Sequence, residues 1–308
     1  MPVARQRALR TWGERLGSPY LLLTLTPLAW AGNIVAGRGA RELIAPIDLS
    51  FFRWSIALIV LLPLMAPALW RHRHILRARW RYLALMGLLG MAGFHSLVYV
   101  AVTHTTALNA ALFLSTVPFL IVVVAWALHG TRVSLTQVLA LLVSLVGAMV
   151  VIMRGDLRTL VELRFNPGDL LMAFAAMVWA VYSVLLQARP KEVPSMALLC
   201  AFIFFGVLWL IPIWLMTTEG VGRYSLSAEL VSLLLYVSVI ASIIANGFWN
   251  IGVAKVGPST AGIFMQLMPV FAALLAIIFL GERLSFYHLI GIVCVATGVW
   301  LFARRRAA

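Results

Sequence analysis

Acid is what this chain has least of. Ten Asp and Glu stand against 24 Lys and Arg in 308 residues, and charged side chains make up only 11% of the total. An ordinary soluble domain carries about 25% charged and roughly 45–50% apolar residues, whereas 63% of this chain is hydrophobic. No water-soluble core could hide that much apolar surface, so a soluble globular protein is excluded. Cysteine is nearly absent too. Cys200 and Cys294 lie in apolar runs with no partner thiol or metal-ligand spacing nearby, which argues against a disulfide framework or a zinc site. No Ser-His-Asp, His-x-x-x-His or P-loop spacing occurs, so an integral-membrane enzyme is a remote alternative. Long polar connections are also missing. The longest covers residues 154–168, and no stretch remains for a separate soluble or docking domain.

What is present is a succession of apolar runs, each near the 20 residues or so that cross a hydrocarbon layer as a helix. They fall near 18–37, 49–70, 82–103, 107–128, 134–153, 169–188, 194–216, 229–253, 258–280 and 285–303, predicting an all-α integral membrane protein of ten transmembrane helices. The first run follows Arg5, Arg7, Arg10 and Arg15, as a signal peptide would, but it is too long for that and further runs follow; it is read as an uncleaved helix. The net charge of +14 sits in short clusters between runs, with no basic groove carrying interleaved aromatics, so a nucleic-acid partner is not expected. Its distribution sets orientation instead. The four N-terminal arginines, Arg71, Arg73, Arg77, Arg79, Arg81, Arg132, Arg189, Lys191, Lys255 and Arg304 to Arg306 fall on one side. Arg38, Arg41, Arg154, Arg158, Arg164, Arg223 and Arg283 fall on the other. The positive-inside rule then puts both tails, 1–17 and 304–308, in the cytoplasm of an inner-membrane protein. Trp12, Trp80 and Trp300, near span ends, are read as interface anchors.

The chain also repeats itself. At a constant offset of 151 residues Pro118 meets Pro269, Gly130 meets Gly281, Arg132 meets Arg283, Ser134 meets Ser285 and Gly147 meets Gly298. At an offset of 149, Trp30-Ala31 meets Trp179-Ala180. Two halves of five helices, 18–153 and 169–303, follow; because five is odd, the second enters the membrane in the opposite sense. Such inverted repeats are common in secondary transporters, whose substrate site lies near the midplane between the repeats. Pro118 and Pro269 each remove a backbone hydrogen bond in mid-span, predicting kinks and paired gating hinges. Small residues recur on one face of span 5 (Ala140, Ser144, Ala148) and of span 10 (Gly291, Gly298), which suits close packing of two scaffold helices.

The "WAGN" at Trp30 to Asn33, Arg53 within "FFRW", the paired prolines and the "GERLS" at Gly281 to Ser285 resemble the EamA family of the drug/metabolite transporter superfamily, including its exporters of aromatic amino acids. The resemblance covers nearly the whole chain. It implies a ten-helix fold of two inverted five-helix repeats, a central cavity lined mainly by spans 1, 3, 4, 6, 8 and 9, and export of metabolites or amino acids. Thr131 departs from the pattern, standing where Glu282 stands in the second half.

Polar side chains inside a span are costly and tend to face a bundle interior or a wet cavity. Candidate substrate-binding residues are therefore Trp30 and Asn33 in span 1, His95 and Tyr99 in span 3, Asn109 and Phe113 in span 4, and Trp179, Tyr182 and Ser183 in span 6. Span 8 adds Asn246, Trp249 and Asn250, and span 9 adds Gln266. The offset of 151 makes His95 equivalent to Asn246 and Tyr99 to Asn250. The plainer reading is interhelical adhesion, at about 0.6 kcal/mol per polar contact. His95 has three readings: substrate ligand, proton carrier or partner to a neighbour. Arg53 needs a partner within the hydrocarbon, and Asp48, five residues earlier, is the candidate for an ion pair. All ten acidic residues fall at span ends or in connections, so transport without a buried carboxylate, facilitated or weakly coupled, is expected. The leading function is export of aromatic or large neutral amino acids, which would stack on the tryptophans and tyrosines. Efflux of nucleosides, purines or drugs is the alternative. A small-molecule substrate and the lipid bilayer are the expected partners, with no cofactor or metal, and the chain is read as a monomer.

Overall fold

A computed structural model of the protein describes residues 18–37, 43–156, 158–161, 163–217, 224, 227–281 and 283–304. The arginines at 5, 7, 10, 15, 38, 41, 223, 305 and 306, Trp12 and Glu282 lie outside these residues. The described chain is helical throughout, with no strand. Nine of its helices are long and apolar enough to cross a membrane: α2 (Pro46–Arg71), α3 (Trp80–His104), α4 (Ala107–His129), α5 (Leu135–Ile152), α6 (Pro167–Ala188), α7 (Ser195–Thr217), α8 (Ala228–Val256), α9 (Pro258–Phe279) and α10 (Phe286–Arg304). A further helix of 19 residues, Pro19–Gly37, precedes them and is α1. Each apolar run of the sequence has its helix, with ends moved by a turn or less.

Helices alone fit this composition, because hydrocarbon offers no partner to a backbone N–H or C=O and each segment must satisfy its own. Their outward faces stay apolar: Ile59, Leu64, Val123, Leu139, Val293, Ile278 and Phe279 are all exposed, a band that water would not tolerate and lipid does. One end of the bundle is marked by exposed tryptophans with a guanidinium over each ring, Arg73 on Trp70 at 4.7 Å, Arg81 on Trp80 at 5.7 Å and Arg304 on Trp300 at 4.3 Å. Aromatic rings at the headgroup level with a cation above them suit a membrane boundary.

Local punctuation agrees at matched positions. Gly130 and Gly281 both end their helices in the left-handed region, at φ 64° and φ 69°, where a side chain would be strained. A π segment interrupts α3 at Gly87–Gly93 and α8 at Tyr236–Ile244. The two prolines behave differently from expectation. Neither kinks a continuous helix: α4 breaks at Thr116, and Pro118 then starts a new segment, Val117–His129. In α9 a 3-10 turn, Ile263–Gln266, precedes Leu267–Leu280, whose third residue is Pro269. A proline in the first turn of a helix lacks only an N–H that has no intrahelical partner there, so each ring fits its segment without breaking a bond.

Helix α1 packs on α8 and α9, α6 on α3 and α4, α2 on α7 and α8, α3 on α7, α4 on α9, and α5 on α10. Exchanging every helix with the one five places along turns these principal pairs into themselves. The α5–α10 pair is closest, since backbones meet where side chains are missing: a Cβ on Gly147 would lie 2.7 Å from Cβ of Cys294, and one on Gly298 would lie 2.5 Å from the Ala140 carbonyl oxygen. Replacing Gly147 with Leu is expected to destabilise the protein by about 1–3 kcal/mol through overpacking. A thermal unfolding midpoint in detergent equal to that of the unmutated protein would contradict this packing.

Candidate functional site

Several polar groups of the spans meet at the two π segments. A π turn takes a carbonyl out of the i→i−4 ladder, and in lipid that oxygen needs another donor. In α3 the Gly90 oxygen receives Nδ1 of His95 at 3.0 Å, and in α8 the Ala241 oxygen receives Nδ2 of Asn246 at 3.0 Å. A carbonyl only accepts, so His95 carries its proton on Nδ1. His95 and Asn246, equivalent by the offset of 151, thus make the same bond, each reaching back five residues in its own helix.

The Ala241 oxygen takes two donors more. Nε1 of Trp30 reaches it from α1 at 3.1 Å, and Nη2 of Arg53 reaches it from α2 at 3.2 Å. Arg53 is 1% exposed. It also donates through Nε to the Ser242 hydroxyl and through Nη1 to the Tyr99 hydroxyl at 2.8 Å, and its guanidinium lies 5.1 Å from the Trp54 ring. Every one of these partners is neutral. The Asp48–Arg53 ion pair expected from the sequence does not form, because residues five apart on a helix point about 140° away from each other. Asp48 instead accepts from Nε1 of Trp214 at 2.7 Å and from the Tyr224 hydroxyl, which ties α2 to α7.

Beside this knot the rings gather around Trp179, itself wholly buried. Phe94 lies 4.6 Å away, Tyr182 5.1 Å, Trp30 5.3 Å, Trp249 5.9 Å and His95 6.2 Å between centroids. Trp54 extends the cluster through His95 at 5.0 Å. Tyr182 donates to Oδ1 of Asn250 at 3.0 Å, joining α6 to α8. Several buried polar atoms of these helices have no hydrogen-bond partner: the indole nitrogens of Trp54, Trp179 and Trp249, Oγ of Ser183, Oδ1 of Asn246 and Nδ2 of Asn250, and, where α9 meets α4, Oε1 of Gln266. Leaving such a group unpaired costs about 1–3 kcal/mol. Nε2 of Gln266 donates to the Ser115 carbonyl at 3.0 Å, bridging the broken turns of α9 and α4 at an offset of 151.

The contacts are not symmetric. Trp30 bonds the Ala241 carbonyl, while Trp179, its counterpart, leaves the Gly90 carbonyl to His95 alone. Tyr182 bonds Asn250, while their counterparts Asn33 and Tyr99 are not joined, Tyr99 being held by Arg53. Asn33 is half-buried and makes no hydrogen bond to a described residue. Trp30 of α1, His95 and Tyr99 of α3, Trp179 and Tyr182 of α6, and Asn246, Trp249 and Asn250 of α8 are thus brought to one region.

Asn109, Phe113 and Gln266, also expected as ligands, are not among them. Asn109 gives its amide to both oxygens of the Asp169 carboxylate, at 3.1 and 3.0 Å, and to the Arg164 carbonyl at 3.1 Å. That carboxylate, buried in the first turn of α6, also accepts from the Thr105 hydroxyl and from the Asn166 backbone at 2.9 Å, a closed capping network at the helix end. Phe113 packs with Ala101, Ala110 and Met172 in a separate apolar cluster. Sequence reading missed Trp54, Phe94 and Ser242. The first two adjoin Arg53 and His95 in sequence, which was the available signal; a backbone carbonyl such as that of Ala241 has none. Because Asn109 serves the α6 cap, Asn109→Ala is expected to lower stability by about 1–3 kcal/mol. Its thermal midpoint should fall while substrate KM stays that of the parent; a raised KM at unchanged midpoint would return Asn109 to the binding site.

Comparisons with known proteins agree with this architecture. The EamA-like transporter family is matched twice, over residues 17–153 and 166–304. An uncharacterized transporter of Archaeoglobus fulgidus is 27% identical over 285 residues, covering 92% of this chain and 96% of its own. A probable terminal-alkyne amino-acid exporter of Streptantibioticus cattleyicolor is 24% identical over 294 residues, covering 94% and 95%. One solved crystal structure shares the fold with a TM-score of 0.76 at 22% identity, over 95% of this chain and 99% of that one. With most of its length matched in two consecutive segments, this multi-pass membrane protein belongs to the EamA-like transporter family.

Proposed function

We propose that the protein exports amino acids, preferably aromatic or large neutral ones, or related small metabolites across the inner membrane by alternating access. The observation that carries this reading is the ring cluster around Trp179 with unpaired polar atoms at its edge. Rings offer stacking to an apolar body, and unpaired donors and acceptors meet a zwitterion's ends. The name of the Streptantibioticus relative, an amino-acid exporter, points the same way.

In this reading ten spans form two inverted five-helix halves, 18–153 and 169–303. Support comes from the double family match and from the helix neighbours that exchange into one another. Both tails lie in the cytoplasm, in keeping with the basic residues and the tryptophan–arginine pairs at that end. Inverted halves supply two related conformations. The unequal bonds of Trp30 and Trp179, and of Tyr182–Asn250 against Asn33–Tyr99, exchange as the bundle rocks, with the breaks before Pro118 and Pro269 as hinges. In this reading the chain works as a monomer.

Coupling is weak or absent. Asp48 and Asp169, the buried carboxylates among the described residues, are held by hydrogen bonds at helix starts. His95 makes the bond that the amide of Asn246 makes, so a donor suffices there. Accordingly His95→Asn should keep both flux and its pH profile, whereas His95→Leu should lose most of the flux; a pH profile flattened by the Asn change would make His95 a proton carrier.

The decisive measurement is counterflow in liposomes reconstituted with the purified chain and loaded with amino acids or nucleosides. Phenylalanine, tryptophan or leucine should exchange above protein-free liposomes. Trp30→Ala and Trp179→Ala should each lower that exchange by about tenfold or more, the size of a lost aromatic contact plus its buried area, at normal expression. Nucleoside exchange without amino-acid exchange would replace this reading by the alternative substrate class.

A further inference from the structure

Arg53 is a full positive charge in the interior of an apolar bundle, and the mechanism above gives it no task. A cation so placed ordinarily has a carboxylate beside it, for without one the desolvation of the charge is uncompensated. Arg53 has none among the described residues. Its three bonds go to two hydroxyls and one carbonyl, and the carboxylate nearest in sequence, Asp48, has both oxygens engaged elsewhere. A guanidinium carries five N–H donors in a planar fork that fits a carboxylate edge-on. Three are used by these partners, so two remain.

The surroundings match the rest of an amino acid. The Ala241 oxygen that receives Arg53 also receives Trp30, a ring of the Trp179 cluster, and Asn246. All three donors lie within 3.2 Å of that one atom, so fork, ring and amide are immediate neighbours. Oδ1 of Asn246 is a buried acceptor without a partner, suited to an ammonium group. Nε1 of Trp54, next to Arg53 in the chain, is a buried donor without a partner, suited to a carboxylate. We propose that Arg53 is the specificity-determining residue of the transport site, taking the substrate's carboxylate in its fork while the substrate's apolar body lies on the rings of Trp30 and Trp179. On binding, the carboxylate replaces one or both of the hydroxyls of Tyr99 and Ser242, so the charge exchanges neutral acceptors for its counter-ion. The bond from Arg53 to Tyr99, which joins α2 to α3, then depends on whether substrate is present.

This inference rests on the amino-acid reading of the previous subsection, and one experiment separates the two. In the counterflow assay, labelled L-phenylalanine is competed with unlabelled L-phenylalanine, L-phenylalaninamide and phenethylamine; the last two keep the ring and amine but lack the carboxylate. The unmutated protein should prefer the acid over the amide and the amine by about 30-fold or more, the usual scale for a buried charged hydrogen-bonded partner. Arg53→Gln should abolish that preference, and Arg53→Lys, which keeps the charge but not the fork, should weaken it about tenfold. If no amino acid exchanges at all, the amino-acid reading fails and this one with it. If phenylalanine exchanges but the amide competes equally in the unmutated protein, the transport reading stands and Arg53 is only a tie between helices. Arg53 is likewise reduced to a tie if the Lys or Gln variant exchanges phenylalanine with the parent's acid-to-amide ratio. The comparison of competitors on the unmutated protein needs no variant, so a poorly folding Arg53→Gln leaves the test intact.

Discussion

A carbonyl that leaves its helical ladder inside hydrocarbon must find another donor, and much of this structure's polar architecture answers that requirement. Helices α3 and α8 each contain a π segment, and each therefore exposes an oxygen in mid-membrane. The Gly90 oxygen is met by one donor from its own helix. The Ala241 oxygen is met by three, from α1, α2 and α8, so a single backbone atom draws together an indole, an amide and a guanidinium. Without the π turn that oxygen would be occupied by its own helix, and these side chains would have no common point.

The same constraint explains why the interior is uneven. Side chains at equivalent positions of the two segments, His95 and Asn246, repeat one bond, yet the groups around them do not repeat. Arg53 is met in α7 by no second cation; the corresponding stretch of α7, around Phe202, is apolar. One side of the ring cluster is therefore held by charge-assisted hydrogen bonds and the other by Tyr182 and Asn250. Bonds that form on one side and lack counterparts on the other are what a bundle with two related arrangements would need, because a fully satisfied symmetric core has no second state to visit.

Lipid-facing and scaffold features ask little of any particular residue at long range. Close approach of α5 and α10 needs only that the facing positions stay small, as Gly147, Gly291, Gly298 and Ala140 do. The capping network of Thr105, Asn109, Asn166 and Asp169 is similarly self-contained, holding helix ends where the chain turns.

How far the sequence could be read follows from the range of the forces concerned. Span positions, the offset of 151, the interface tryptophans and the small-residue faces depend on local hydropathy and helical period, and each was legible from residue order alone. Most of the polar and aromatic residues now found near the ring cluster were legible too, because polarity inside a span is rare. Their pairing was not. Asp48 and Arg53 are close in sequence but turn to different helices; Asn109, a candidate ligand, holds the Asp169 carboxylate; Pro118 and Pro269, candidate kinks, lie in the first turns of their segments. Residue order alone was enough for a multi-pass helical membrane protein, since hydrophobic burial in lipid is a property of each segment. Which groups meet at the Ala241 carbonyl and which remain unpaired depended on the packing of the helices, since a hydrogen bond acts over about 3 Å and two of the donors, Trp30 and Arg53, come from helices far away in the chain.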